Sequence, residues 1–189
     1  MTPRGPAAVR STDPAGAPGA LLVLGHGAGG DVGAPDLTAV HDAAVAAGLR
    51  VALVTQPYRV AGRKAPAPAG HLDEAWTAVL AEVRDDTLPL IVGGRSSGAR
   101  VACRTAAAVG AHGVLALAFP LHPPGKLPAG LPVLCVNGDR DPFGVPESSA
   151  NVEVAVRPGA VHDLRKDLPG TAEAVLGWLR RHGWAMPLR

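Results

Sequence analysis

The five residues Gly-Arg-Ser-Ser-Gly at positions 94–98 have the types and spacing of a serine nucleophile held on a sharp turn. An apolar run at 90–92 precedes them, and apolar residues with helical spacing follow. This is the G-x-S-x-G pattern between a strand and a helix, in which the glycines permit the sharp turn and the serine adopts a strained conformation. It predicts Ser96 as a nucleophile at the amino end of the helix, where N–H groups favour negative charge. A glycine-tight turn of purely structural use is the alternative.

A serine hydroxyl is a weak nucleophile, so this chemistry also needs an acid and a base, which follow in the chain order Ser, Asp or Glu, His. Asp139 and Asp141 follow the apolar run 133–136, and His162 follows the run 152–156. His162 is therefore the predicted base. We take Asp141 as the acid that orients it, because Asp141 lies farther out on its loop. Asp139 is the second candidate, with a turn or capping role as its alternative.

A glycine-rich segment at residues 25–30 follows the apolar run 20–24 and predicts a loop that presents backbone N–H groups to an oxyanion. The amides of Ala28 and Ser97 are the expected pair of donors. A phosphate-binding loop is the alternative, but the segment lacks the G-x-G-x-x-G spacing and no Lys-Ser or Lys-Thr pair follows it. We expect His26, inside this segment, to brace the loop through hydrogen bonds.

Four side chains are candidates for lining a substrate pocket: His26, His122, Arg59 and Arg63. His122 follows the apolar run 114–119, so it lines the pocket or pairs with backbone at a strand end. Arg59, Arg63 and the adjacent Lys64 lie in a long irregular insertion, residues 57–70. These cations suit an acidic group on a substrate, and solvated surface charge is the other interpretation.

The elements that must position these residues alternate in type. Short apolar runs of the kind found in buried strands occur at residues 20–24, 51–54, 90–92, 114–119, 133–136 and 152–156. Between them, apolar residues share helical faces, as in Leu37, Val40 and Ala44 after a helix start at Pro35 and Asp36. The alternation predicts a three-layer α/β/α sandwich with a mostly parallel sheet of about six to seven strands.

Length and composition limit the domain organisation and the partners. The chain has 189 residues, 47% of them apolar, and a formal net charge of +2. We expect one domain over residues 19–185, preceded by a flexible leader, residues 1–18, with at most a short edge strand near 7–10. Interspersed charge argues against a nucleic-acid partner, and no apolar run approaches the roughly 20 residues of a membrane helix.

Cysteine usage bears on metal sites and on the cellular compartment. Cys103 and Cys135 fall in apolar segments and lack the spacing of metal ligands, which indicates small core side chains in a reduced compartment. We therefore expect a cytoplasmic protein without a metal site and without a membrane partner. The composition gives no indication of the oligomeric state.

Four segments together resemble a family of small, lidless α/β-hydrolases, the hydrolase-like family of testis-expressed protein 30 and subunit 3 of the NSL chromatin complex. The segments are residues 26–31, 93–100 and 119–125, and residues 138–141 with 161–162. Of these, Phe-Pro-Leu-His-Pro-Pro-Gly at 119–125 is the most specific to the family. The resemblance implies an α/β-hydrolase fold with a triad of Ser96, Asp141 and His162. Ser97 stands where the resemblance leads us to expect methionine.

These observations lead to a functional hypothesis. We expect a serine hydrolase that cleaves carboxylic ester or thioester bonds of small molecules through an acyl-enzyme intermediate, with no cofactor. Only about a dozen residues separate Phe119 from Leu131, too few for a lid, so the site should be open. The family includes a chromatin-complex subunit, so a non-catalytic interaction module that keeps the hydrolase fold is the alternative.

Overall fold

A seven-stranded sheet forms the centre of the protein, which is described here by a computed structural model of residues 1–187. The strands are β1 (Ala8–Thr12), β2 (Leu21–Gly25), β3 (Arg50–Thr55), β4 (Leu90–Arg95), β5 (Gly113–Leu117), β6 (Val133–Gly138) and β7 (Val152–Arg157). Their order is β1-β3-β2-β4-β5-β6-β7. Strands β2 to β7 are parallel, and β1 pairs antiparallel with β3 at the edge. The predicted, mostly parallel sheet is confirmed.

Five helices connect the strands and cover both faces of the sheet. They are α1 (Pro35–Ala46), α2 (Pro57–Val60), α3 (Ala69–Val83), α4 (Ser97–Thr105) and α5 (Leu168–Arg181), with a 3₁₀ turn at Arg165–Asp167 before α5. Helices α3 and α4 pack on one face around the buried Trp76, and α1 and α5 pack on the other around the buried Trp178. The predicted three-layer sandwich is therefore confirmed. None of these helices in residues 1–187 is long and apolar enough to cross a membrane.

The register of the sheet brings the chemical residues to one edge. Gly25 at the end of β2 is paired with Gly94, one residue before the end of β4, and Gly138 at the end of β6 is paired with Arg157 at the end of β7. The loops that follow all four strands therefore leave the sheet at the same carboxyl edge, where open α/β sheets bind their ligands.

Both cysteines lie in the core on the α3 and α4 face of the sheet. They are free and buried. Burial raises the pKa of the Cys103 thiol to about 12 and also raises that of Cys135. Both thiols are therefore protonated at neutral pH and act as small apolar side chains.

The short edge strand expected near residues 7–10 corresponds to β1, and all five of its residues pair with β3 at one edge of the sheet. One part of the chain differs from the expectations. The insertion at 57–70 begins with helix α2, because Pro57 fixes a helical φ at the first helical position, and helix α3 already starts at Ala69. Residues 118–132, between β5 and β6, contain no helix, in line with the expected lack of a lid.

Candidate active site

Ser96 occupies the sharp turn between β4 and α4. Its backbone has φ 53° and ψ −110°, a conformation that L residues rarely adopt and that costs on the order of 1–3 kcal/mol. The strain is held in place because the Ser96 amide donates a hydrogen bond to the Leu117 carbonyl at the end of β5, at 2.9 Å. The hydroxyl therefore stands at the carboxyl edge of the sheet, at the first turn of α4.

The glycines on either side of the serine are required by close packing against β2. A Cβ atom added at Gly94 or at Gly98 would lie 2.5 Å from the carbonyl oxygen of Gly25. Atoms of the backbone cannot move aside as a flexible side chain can, so only glycine fits at these two positions. The two glycines of the G-x-S-x-G motif are thus required by the close contact of β2, β4 and α4.

We expect Gly98→Ala to lower the free energy of unfolding by about 2 kcal/mol, because the new methyl group overlaps backbone on both Gly25 and His26. Urea denaturation measures the change. Gly16→Ala is the matched control, since nothing lies within 4 Å of a Cβ there, and it should change stability little. Equal stability of the two variants would contradict the close packing.

Three side chains from distant parts of the sequence form a continuous hydrogen-bonded chain. His162 Nε2 lies 2.9 Å from Ser96 Oγ, and His162 Nδ1 lies 2.8 Å from Asp141 Oδ2. The Asp141 side chain is wholly buried, and its other oxygen accepts a hydrogen bond from the Phe143 amide at 2.9 Å. With its proton on Nδ1, the imidazole donates to the carboxylate and accepts from the serine hydroxyl, so it is oriented to remove the serine proton.

Asp139, the second candidate for the acid, has a different set of contacts. Its Oδ1 accepts a hydrogen bond from the Gly159 amide at 2.6 Å. This bond ties the loop after β6 to the loop after β7, which carries His162. Asp139 therefore makes the turn contact that was its alternative interpretation, while Asp141 contacts the imidazole.

The glycine-rich loop after β2 lies directly beside the serine. A Cβ added at Gly27 would be 3.6 Å from Ser96 Cβ, and the loop closes in a turn in which the Gly30 amide donates to the Gly27 carbonyl at 3.2 Å. Within residues 1–187, the amides of Ala28 and Ser97 donate to no other group. Two N–H groups next to the nucleophile are thus available to a ligand.

His26 holds this loop through its ring nitrogens. Nδ1 donates to the Gly27 carbonyl at 2.8 Å, and Nε2 accepts a hydrogen bond from the Gln56 amide at 3.1 Å. The residue is buried, and desolvation lowers the pKa of its imidazole, so it is neutral and can serve as donor and acceptor at once. These contacts are those expected of a brace, and they occupy both nitrogens.

The other pocket candidates lie in different places. His122 is exposed on the loop after β5, and no hydrogen bond in the described part of the chain joins it to Ser96, Asp141 or His162. Arg63 lines a cavity of about 570 Å³ between α2 and the start of α3. Arg59 does not line this cavity; its Nη1 donates to the Arg63 carbonyl at 3.1 Å.

Arg95 has a role in the site that the sequence did not indicate. Its Nη2 donates to the His162 carbonyl at 3.0 Å, and its Nε lies 2.9 Å from Asp36 Oδ2. The Asp36 side chain is 1% exposed at the amino end of α1. Burial raises the pKa of Asp36, and the Arg95 charge opposes that rise. The guanidinium thus joins the serine turn, the histidine loop and α1. In the sequence, Asp36 indicated the start of a helix, and nothing indicated its contact with Arg95.

Phe143 is a second residue that sequence reasoning missed. Its ring centroid lies 4.6 Å from that of His162, with the planes tilted by 56°. The aromatic ring therefore packs against the imidazole and restricts its movement. Its position two residues after the candidate acid Asp141 could have indicated from the sequence that it lies near the site. The structure agrees, because the Phe143 amide donates a hydrogen bond to the Asp141 carboxylate.

Several known proteins share this architecture. A family model described as alpha/beta hydrolase domain matches residues 18–167. An alpha-beta serine hydrolase homologue from Coxiella burnetii is 22% identical, with a TM-score of 0.79 and 96% of this chain and 94% of that chain covered. A serine hydrolase without a lid from Xanthomonas campestris is also 22% identical, with a TM-score of 0.81 and coverage of 98% and 94%. Est1E from Butyrivibrio proteoclasticus is 16% identical, with a TM-score of 0.74 and coverage of 93% of each chain.

No curated protein matches the sequence significantly. Because these solved structures are less than 25% identical to this chain, their likeness shows the fold alone. The Xanthomonas protein with this fold has no lid. The family match covers most of the chain and includes the loop after β2, the serine turn and the loops with Asp141 and His162. The chain therefore belongs to the alpha/beta hydrolase family, as its fold and its sequence motifs predict.

Proposed function

We propose that the protein is a serine hydrolase that cleaves carboxylic ester or thioester bonds through an acyl-enzyme intermediate. One observation carries the proposal: the hydrogen-bonded chain from Asp141 through His162 to Ser96, with distances of 2.8 and 2.9 Å, ends on a serine in a strained turn. The family of the chain supports hydrolase activity in general, and the contacts of these three residues support this reaction type.

In the first half of the reaction, Ser96 Oγ attacks the acyl carbon while its proton moves to His162 Nε2. Asp141 holds the imidazole by Nδ1 and stabilises its positive charge. The negative charge that develops on the acyl oxygen is bound by the amides of Ala28 and Ser97, which have no other partner among residues 1–187. The bond to the leaving group then breaks, and the leaving alkoxide or thiolate takes the proton from His162.

In the second half, His162 removes a proton from a water molecule, which attacks the acyl carbon of the ester on Ser96. The bond between Oγ and the acyl carbon breaks, and the proton returns from His162 to Ser96. The acid product leaves and the free enzyme is restored. Each proton in this cycle moves through a group of the chain, the substrate or water, so the proposal includes no cofactor.

Labelling with a fluorophosphonate probe tests the proposal, because the probe forms a bond only with an activated serine. We expect wild type and Ser97→Ala to be labelled and Ser96→Ala to remain unlabelled, since Ser97→Ala keeps the backbone amide. Mass spectrometry of the labelled peptide identifies the modified serine. Folded wild-type protein that takes up no label and turns over no nitrophenyl ester would favour the alternative, a non-catalytic interaction module with a hydrolase fold.

We also propose that the chain is related, within alpha/beta hydrolases, to the hydrolase-like family of testis-expressed protein 30 and NSL complex subunit 3. Two of the segments that carry this resemblance contact each other. Arg100, from the segment 93–100, donates through Nη2 to the Pro120 carbonyl at 2.8 Å and also to the Pro123 carbonyl. A contact between the two segments supports their treatment as one motif.

A further inference from the structure

We propose that the cavity beside the oxyanion loop is a subsite for a carboxylate carried by the ester substrate, on its acyl or its alcohol part. This inference rests on the proposed function and adds a substrate class to it. We call this space the basic cavity; the four basic residues that line it are Arg4, Arg63, Lys64 and His71. Its volume of about 570 Å³ is in the range of small-molecule sites.

The basic cavity adjoins the serine turn. Gln56, Tyr58 and Leu72 line it, and the same three residues line a narrow cavity whose other walls include Ser97 and Gly98. Tyr58 also reaches the oxyanion loop, because its hydroxyl donates to the Ala28 carbonyl at 2.6 Å. One layer of buried side chains therefore separates the basic cavity from the serine turn and the oxyanion loop.

The charges that line the cavity have one sign. No carboxylate side chain in the described part of the protein lines it. Arg4 is paired with Glu74 at 2.6 Å, whereas Arg63 and Lys64 form no ion pair within residues 1–187. Elsewhere on the surface, arginines such as Arg50, Arg104 and Arg181 each contact a carboxylate. Two uncompensated cations in a concave site raise the local concentration of an anion and attract it.

The backbone that presents Arg63 is fixed on both sides. Its amide donates to the Tyr58 carbonyl at 2.9 Å, and its carbonyl accepts a hydrogen bond from Arg59 Nη1 at 3.1 Å. Tyr58 in turn is tied to Ala28, so the position of Arg63 is coupled through two hydrogen bonds to the oxyanion loop. These bonds fix the Cα position of Arg63 beside the cavity and give Arg59 a role in holding this backbone.

The test compares esters that differ only in one charge. The first pair is 4-nitrophenyl hydrogen adipate and its methyl ester, which place the carboxylate on the acyl part. The second pair is 4-acetoxybenzoate and methyl 4-acetoxybenzoate, which place it on the alcohol part. We expect wild type to prefer the anion in at least one pair, and Arg63→Gln/Lys64→Gln to lower kcat/KM for that anion about tenfold, mainly through KM.

Arg10→Gln is the control, because Arg10 is an exposed cation on β1 that does not line the cavity. It should leave the preference unchanged, whereas the double variant should lose more kcat/KM for the charged member of the pair than for the neutral one. Equal kcat/KM for the charged and neutral members of both pairs would overturn the subsite while leaving the proposed hydrolase intact. Failure of wild type to hydrolyse any ester or to react with a fluorophosphonate would overturn both.

Discussion

Asp141→Asn is expected to lower kcat for ester hydrolysis about 10⁴-fold with little change in KM. The carboxylate binds His162 Nδ1 at 2.8 Å and is wholly buried, so its charge acts on the imidazole with little screening by solvent. An amide of the same shape no longer stabilises the imidazolium and can impose the wrong tautomer on His162. Steady-state kinetics with a nitrophenyl ester measures the loss, and circular dichroism verifies that the variant is folded.

Asp139→Asn is the matched control for this experiment. The residue lies on the same loop, but its carboxylate contacts the Gly159 amide and not the imidazole. An asparagine oxygen can still accept that bond, so we expect kcat within about fivefold of wild type, the factor that corresponds to the roughly 1 kcal/mol of one hydrogen bond. A larger loss from Asp139→Asn than from Asp141→Asn would assign the acid to Asp139 and contradict the mechanism.

The order and type of the main elements were predictable because each depends on a local pattern. Buried parallel strands are continuous apolar runs, and five of the six runs end within two residues of the observed strand ends; the exception is the run 90–92, which stops three residues before β4 ends at Arg95. The serine turn was predictable for a related reason. Gly94 and Gly98 are required by contact with Gly25, so a long-range packing constraint is visible as a short sequence motif.

What the sequence did not predict depends on pairing between distant segments. Strand β1 was expected only as a short edge strand near residues 7–10, and its extent to Thr12 depends on pairing with the edge of β3. The contact of Arg95 with Asp36 joins residues 59 positions apart in the chain, and neither residue has a local pattern that indicates a partner. The sequence favoured Asp141 over Asp139 as the acid, but the separate contacts of the two carboxylates, with the imidazole and with the Gly159 amide, depend on the path of the loop after β6.

Arg95→Met is expected to lower the free energy of unfolding by about 3 kcal/mol at pH 8, because it leaves the Asp36 carboxylate buried and unpaired. Asp36→Leu/Arg95→Met should recover most of that loss, since no buried charge remains. The two substitutions are therefore expected to be non-additive by at least about 2 kcal/mol. Urea denaturation of the single and double variants measures both quantities. Additive effects would show that the pair does not interact in the folded protein.

The pH dependence of Arg95→Met gives a separate test of the same pair. Burial already raises the pKa of Asp36, and loss of the Arg95 charge, which opposes this, raises it further. An acid whose pKa is higher in the folded than in the unfolded state binds more protons when folded, so stability falls as pH rises from its unfolded pKa through its folded pKa. The deficit of Arg95→Met should therefore be small near pH 4 and reach its full size above the raised pKa of Asp36. A deficit of constant size from pH 4 to pH 8 would mean that the lost stability comes from the His162 carbonyl contact or from packing, and not from the Asp36 charge.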